Sequence, residues 1–254
     1  MNLAEYRSSN ARLADFLPWA ALVDEGIVLN KDGSFQRTAR FRGPDLDSAV
    51  PAELVAVAGR LNNALRRLGS GWALFVEAQR HAAGAYPPNS FPDAASALVD
   101  AERRAQFEEA GAHYESSYYL TLVYLPPAEG AALAERLLYE GSSRTVGADA
   151  RQMLAGFVDR TNRVLQLIEG FMPECGWLDD QETLTYLHST ISNKRHRVRV
   201  PEIPMYLDAL LADQPLTGGL EPMLGAAHLR VLTVVGFATA TLPGILDDLN
   251  RLAF

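Results

Sequence analysis

The chain contains a single cysteine, Cys175, among its 254 residues. No disulfide can form within it, which points to a reducing compartment. It also lacks long hydrophobic runs. Nothing approaches the roughly 20 apolar residues of a membrane-spanning helix, so any membrane association is expected to be peripheral or through a partner. The opening MNLAEYRSSNARLADF is broken by charges and does not read as a signal peptide. Basic surplus is missing as well: Lys and Arg number 23 against 31 Asp and Glu, a net charge of −8. Such a balance disfavours a general nucleic-acid binder, because phosphate contacts need a basic surface.

Catalytic signatures are equally scarce. A phosphate-binding P-loop needs a glycine-rich turn ending in Gly-Lys-Ser/Thr. The run GSSRTVG, residues 141–147, has small residues and an arginine but no such ending, and reads as a loop. No Gly-x-Ser-x-Gly elbow occurs. The five histidines, at 81, 113, 188, 196 and 228, share no metal-ligand spacing. Cys175 could act as a nucleophile, but a small core thiol is the plainer reading. The acidic cluster Asp179, Asp180 and Glu182 could hold a cation, although a cap for the following helix explains it more simply. No catalytic, cofactor-binding or metal-binding residue is assigned.

What is present reads as alternating strands and helices. Asp24-Glu25-Gly26 and Asp32-Gly33 divide short β-prone runs into a meander. In its last strand Phe35, Arg37, Ala39 and Phe41 share one face. Gln36, Thr38, Arg40 and Arg42 take the other, expected to be wet. Pro51 opens a helix that carries Leu54, Ala58, Leu61, Leu65 and Leu68 on one stripe and stops at Gly69. A strand over Trp72–Gln79, a helix over Ala94–Ala112 and the strand SYYLTLVYL follow; that strand is apolar on both faces and so central. Further helices are expected over Ala131–Tyr139, from Asp149 to about Gly170, and over Asp180–Thr190. A short strand is expected near Gly176 and Trp177. The chain closes on a strand, LRVLTVVGF, and a helix with Ile245, Leu246, Leu249 and Leu252 on one side. The order implies an α+β fold: mainly antiparallel sheet with helices packed on one face and an N-terminal β-meander, compatible with two ferredoxin-like subdomains. The division expected is 1–145, the meander with a first α/β subdomain, and 146–254, a second.

One charge pattern departs from the acidic background. In ISNKRHRVRVPEIP, Arg195, Arg197 and Arg199 fall two apart, so an extended backbone sets them on one face. Pro201 and Pro204 suit an edge strand. The plain reading is charge that protects an edge from aggregation. The functional reading is a docking strip for an acidic protein surface, acidic lipid headgroups or, less readily, nucleic acid. Arg40 and Arg42, on the wet face of the meander, are added as docking candidates.

Two long segments carry a family resemblance: LPWAALVDEGIVLNKDGSFQRTARFRGPDLDS, and the stretch from Asp179 to Leu252 with its strings YLHSTIS, MYLDALLAD and GGLEPMLG. Both resemble the N-terminal region of TrbE-like conjugal transfer ATPases of type IV secretion systems. Ala238 stands where the family pattern suggests a proline. The resemblance implies a non-catalytic docking and assembly domain, truncated before a RecA-like motor domain that would carry the Walker motifs, ATP and Mg. It implies a cytoplasmic location, peripheral at the bacterial inner membrane, with channel components of the secretion apparatus as partners. Self-association is expected from a sheet edge left open beyond LRVLTVVGF. The alternatives are a DNA-contacting module of the transfer machinery and an unrecognised nucleotide hydrolase.

Overall fold

The computed structural model describes residues 12–44, 49–109, 113–127, 144–203, 205–231 and 236. A single helical turn, α1 (Leu13–Phe16), leads into the meander β1 (Trp19–Asp24), β2 (Ile27–Asn30) and β3 (Phe35–Arg42). Both turns fall where the Asp/Gly pairs place them, with Gly26 at φ 64° and Gly33 at φ 81°. Helix α2 (Pro51–Leu65) begins on Pro51, and the Glu53 carboxylate accepts from the Val50 N–H at 3.1 Å, satisfying one of the free donors of the first turn. The antiparallel pair β4 (Trp72–Ala82) and β5 (Tyr114–Tyr124) is joined through helix α3 (Ala94–Glu109). Helix α4 (Arg144–Glu169), strand β6 (Glu174–Trp177) and helix α5 (Asp180–Ile191) follow. The end of the described chain holds a short helix, α6 (Leu207–Leu211), and a small antiparallel sheet, β7 (Leu216–Thr217), β8 (Met223–Leu224) and β9 (Ala227–His228).

The main sheet has six strands, ordered β1-β2-β3-β5-β4, with β6 also pairing β3. Strands β2 and β6 share one edge of β3: Ile27 to Leu29 pair with Phe35 to Arg37, and Glu174 to Trp177 pair with Ala39 to Arg42. All these pairings are antiparallel. The run β3-α2-β4-β5-α4-β6, with spatial order β6-β3-β5-β4, is the split βαβ arrangement of ferredoxin-like units, here with α3 inserted between β4 and β5. Its elements come from both sides of the 145/146 division expected from sequence.

Residue parity decides which side of the sheet each helix covers. Leu120 and Leu122 of β5 face a core with Ala64 of α2 and Val164 and Ile168 of α4. Phe157 of α4 packs on Phe35 and Trp72 with centroids 5.6 and 5.7 Å apart. The alternate residue Thr121 points to the other side, where Tyr186 of α5 meets it. The two long crossing helices therefore share one face, as expected, and α5 closes part of the other. There Trp19 and Val28 pack with Leu184, Leu187, Leu207 and Leu211.

Three sequence expectations change. The polar face of β3 is not wet throughout: Gln36 and Thr38 are buried, and Thr38 is linked through Thr121 to Tyr186 of α5. GSSRTVG is not wholly a loop, since the helix already includes Arg144 to Gly147; residues 141–143 lie outside the described residues. The segment carrying Arg195, Arg197 and Arg199 is not an edge strand among the described residues, because residues 193–200 pair with no described strand. Its polar groups bind α5 and Gln214 instead, so no ladder forms. The Ala131–Tyr139 helix, the last helix with Ile245, Leu246, Leu249 and Leu252, Ala238, and LRVLTVVGF beyond Val231 except Gly236 lie outside the described residues.

Two glycines test this architecture with opposite signs. A Cβ on Gly26 would run into the Leu178 carbonyl, and its positive φ is strained for other residues. Gly26→Ala is expected to lower the unfolding free energy by about 2–3 kcal/mol. Gly59, exposed within α2 with open space around it, should behave oppositely. Gly59→Ala is expected to add about 0.5–1 kcal/mol through helix propensity. Urea titration checks both, with a shifted midpoint at constant slope.

Candidate docking groove

Beside α5, the polar face of the sheet forms the floor of a cavity of about 490 Å³. Arg40, Gln79, His81, Ser117 and Tyr119 come from the sheet, and Asp179, Glu182, Thr185 and Ser189 from α5 and its cap. The third wall is the segment after α5, through Lys194, Arg195, His196 and Arg197. A second cavity of about 460 Å³ adjoins it and includes Arg42, Tyr118, Glu174 and Cys175. Arg40, Ser117, Leu178 and Glu182 line both, so the two form one groove with Arg40 at the junction.

The floor is held by hydrogen bonds among buried hydroxyls. Thr38 and Thr121 Oγ1 lie 2.9 Å apart, Thr121 and Tyr186 Oη 3.4 Å, and Tyr186 donates to Glu77 at 2.8 Å. Burial pushes the Tyr186 phenol up, and its bond to Glu77 adds to the shift, so it stays a protonated donor. Gln79 donates to Ser189 at 2.8 Å and joins β4 to α5 a second time.

The arginine segment is tied down at several points. Arg195 Nη1 donates to the Ser189 carbonyl at 2.9 Å, which uses an unpaired acceptor of the last helical turn. The Val198 N–H donates to Thr185 Oγ1 at 3.1 Å, and the Val198 side chain is buried. Asp213 anchors the base of the segment, 3.2 Å from Lys194 Nζ and 3.3 Å from His188 Nε2. Burial alone would push the Asp213 carboxyl up, but polar contacts from Lys194, His188 and Ser192 outweigh it and hold it below the usual carboxylate range. His188 is itself buried; its Nε2 is close enough to Asp213 for an ion pair but lacks the alignment of a hydrogen bond. Its ring meets that of His196 edge-on, 4.5 Å between centroids.

The structure thus brings together three of the five arginines singled out by sequence: Arg40, Arg195 and Arg197 line the same cavity, although residues 40 and 195 are far apart in the chain. Arg42 lines the adjoining chamber and pairs with Glu174 at 3.4 Å. Arg199 lines neither. The acidic cluster is occupied by local structure. Asp179 accepts from the Glu182 N–H at 2.7 Å, Glu182 accepts from the Asp179 N–H at 3.2 Å, and Asp180 accepts from the Gly26 N–H at 2.7 Å. The sequence offered no direct signal for Tyr119, Gln79 or Ser189 in the groove, because they are ordinary polar residues until pairing sets them side by side.

Cys175 sits half-buried on β6, packed beside Phe41 and Trp177. Burial pushes its thiol up to about 11, with the charge of Glu169 adding. The nucleophilic thiolate is therefore the rare form near neutral pH.

Residues 26–132 match the family described as type IV secretion system ATPase VirB4/TrbE, N-terminal domain. The chain is 33% identical over 264 residues to "Conjugal transfer protein TrbE" of Rhizobium radiobacter, covering 98% of this chain and 32% of that protein. It is 40% identical over 138 residues to a shorter probable conjugal transfer protein TrbE of Sinorhizobium fredii, 53% of this chain and 93% of that protein. It is 24% identical over 267 residues to "Type IV secretion system protein virB4" of Brucella suis, 97% of this chain and 32% of that protein. The chain belongs to the TrbE-like branch of the VirB4/TrbE type IV secretion ATPases and corresponds to their N-terminal region. It spans about a third of the length of the R. radiobacter and B. suis relatives.

The raised thiol gives a measurable consequence. With the shift from 9.0 to about 11, the thiolate fraction at pH 8 is roughly 100-fold lower than for an unperturbed thiol. Iodoacetamide should label Cys175 slowly in the folded chain at pH 8, at close to the free-cysteine rate in urea, and progressively faster as pH rises toward 11. Mass spectrometry of timed aliquots reads the rates, and fast labelling of the folded chain at pH 8 would show that the thiol is activated.

Proposed function

We propose that this chain is a non-catalytic docking and assembly domain of a conjugal transfer ATPase, linking the motor to inner-membrane channel components of the type IV secretion apparatus. The observation that carries the reading is the convergence of Arg40, Arg195 and Arg197 on one groove of a chain whose net charge is −8. Membership of the TrbE family supplies the setting. ATP and Mg belong, in this reading, to a motor domain of the parent protein. No described helix is long and apolar enough to cross a membrane. In this reading the contact with the inner membrane runs through partners on its cytoplasmic side. A DNA-contacting role is the weaker reading: the acidic charge opposes a polyphosphate chain, and Asp179 and Glu182 stand inside the same groove.

Arginines at a solvated rim act through steering and registration more than through bulk affinity. Replacing Arg195, Arg197 and Arg199 together by Ala is expected to leave the circular dichroism spectrum unchanged and to lower recovery of channel components about tenfold at low salt. The difference should shrink as salt screens the charges. The measurement is a pull-down of detergent-solubilised inner-membrane channel components on wild-type and mutant chain. Equal recovery by both folded proteins at low salt would overturn the reading.

A further inference from the structure

The two cavities share a wall, and this shape carries information about the ligand. A compact anion needs only one small cluster of donors. Here an open groove runs from His81, Arg195 and Arg197, past Arg40, to Arg42 and Glu174.

Its charge is arranged along that path. In the first chamber Arg40, Lys194, Arg195 and Arg197 stand against Asp179 and Glu182, whose carboxylates are already engaged in capping α5. Lys194 is matched by Asp213. Among the described residues Arg40 and Arg197 lie within ion-pair distance of no carboxylate. Between the charges lie neutral donors and acceptors: Ser117, Gln181 and the Tyr119 hydroxyl. Deeper in the wall, the Nε2 of His188, a side chain only 3% exposed, lacks an aligned hydrogen-bond partner.

We infer that the groove binds an extended, acidic peptide segment of a protein partner, with Arg40 holding a carboxylate at the junction of the chambers and Arg197 a second in the first chamber. Spaced cations separated by amide and hydroxyl groups match a backbone with carboxylates at intervals, since side chains of an extended peptide on one side recur about every 7 Å. A guanidinium offers paired donors to a carboxylate. A phosphate chain fits less well, because it would carry continuous negative charge past Asp179 and Glu182. This proposal rests on the docking reading and adds to it the chemistry of the occupant and the residue at its centre.

The test uses the whole chain and fluorescence anisotropy with a short dye-labelled peptide alternating Glu with Ser and Gly. A Gln-for-Glu peptide and a single-stranded oligodeoxynucleotide of equal charge serve as comparisons. The wild type should bind the Glu peptide at least about tenfold tighter than either comparison. Arg40→Ala, on an exposed side chain, should weaken it about tenfold while Arg40→Lys retains part of the affinity. Arg199→Ala, outside the groove, should change it by less than about twofold. Equal losses in Arg40→Ala and Arg199→Ala would overturn the proposal in favour of diffuse attraction, and tighter binding of the oligonucleotide would overturn it in favour of a phosphate site. Peptide binding lost in Arg40→Ala, with channel-component recovery unaffected by it, would support the groove and sink the docking reading. Recovery that depends on the triple-arginine change without any peptide binding would do the reverse.

Discussion

Strand β3 pairs with three others, and most of the architecture follows from how its two edges are used. On one edge it runs antiparallel to β5 from Phe35–Tyr124 to Phe41–Tyr118. On the other edge, β2 occupies the first half and β6 the second. The meander, the β4–β5 pair and the return from α4 are therefore registered against a single eight-residue strand. A one-residue slip would exchange the faces and place Phe35 and Ala39, both fully buried, on the polar side.

The charged residue on the core face of β3 shows how this register is tolerated. Arg37 donates to Asn162 Oδ1 of α4 at 2.8 Å and lies 4.4 Å from the Trp177 ring centroid of β6. Trp177 Nε1 donates to the same Asn162 oxygen at 2.9 Å. Burial lowers the Arg37 pKa against the opposing charges of Asp24 and Glu25, yet a guanidinium keeps its charge under ordinary conditions. One cation thus ties β3, α4 and β6 together, and its hydrogen bonds and its aromatic neighbour offset part of the lost hydration, while its buried Nε has no hydrogen-bond partner among the described residues.

The opposite face of β3 makes the groove. Thr38 is sealed under α5 and linked through Thr121 and Tyr186 to Glu77, whereas Arg40, two residues on, lies beyond that cover and is exposed. The groove exists because α5 is too short to roof the whole sheet and the segment that leaves it turns back along its side. Arg195 bound to the Ser189 carbonyl and Val198 bound to Thr185 hold that segment against the helix. The family assignment and the geometry meet here: residues 26–132 carry the matched domain, and the groove adds residues well past it, from Asp179 to Arg197.

Local chemistry was enough for the elements with strong local signals. Asp-Gly turns set the meander, Pro51 and its apolar stripe set α2, and Asp179 with Glu182 set the start of α5, because backbone conformation and capping are decided within a few residues. The central position of SYYLTLVYL was legible too, since a strand apolar on both faces must be covered on both. The sequence alone also argued Arg195, Arg197 and Arg199 out of a helix, through the prolines that follow. Only the tertiary structure decided that this backbone pairs with no described strand, that the polar face of β3 is half buried, and that Arg40 shares a cavity with Arg195 and Arg197 while Arg199 stays apart. Those outcomes depend on which strand edges are already occupied and how far one helix reaches across a sheet. Both are set by contacts between residues far apart in the chain, such as Phe41 with Tyr118, Ala39 with Trp177 and Gln79 with Ser189, which leave no periodicity in the local sequence.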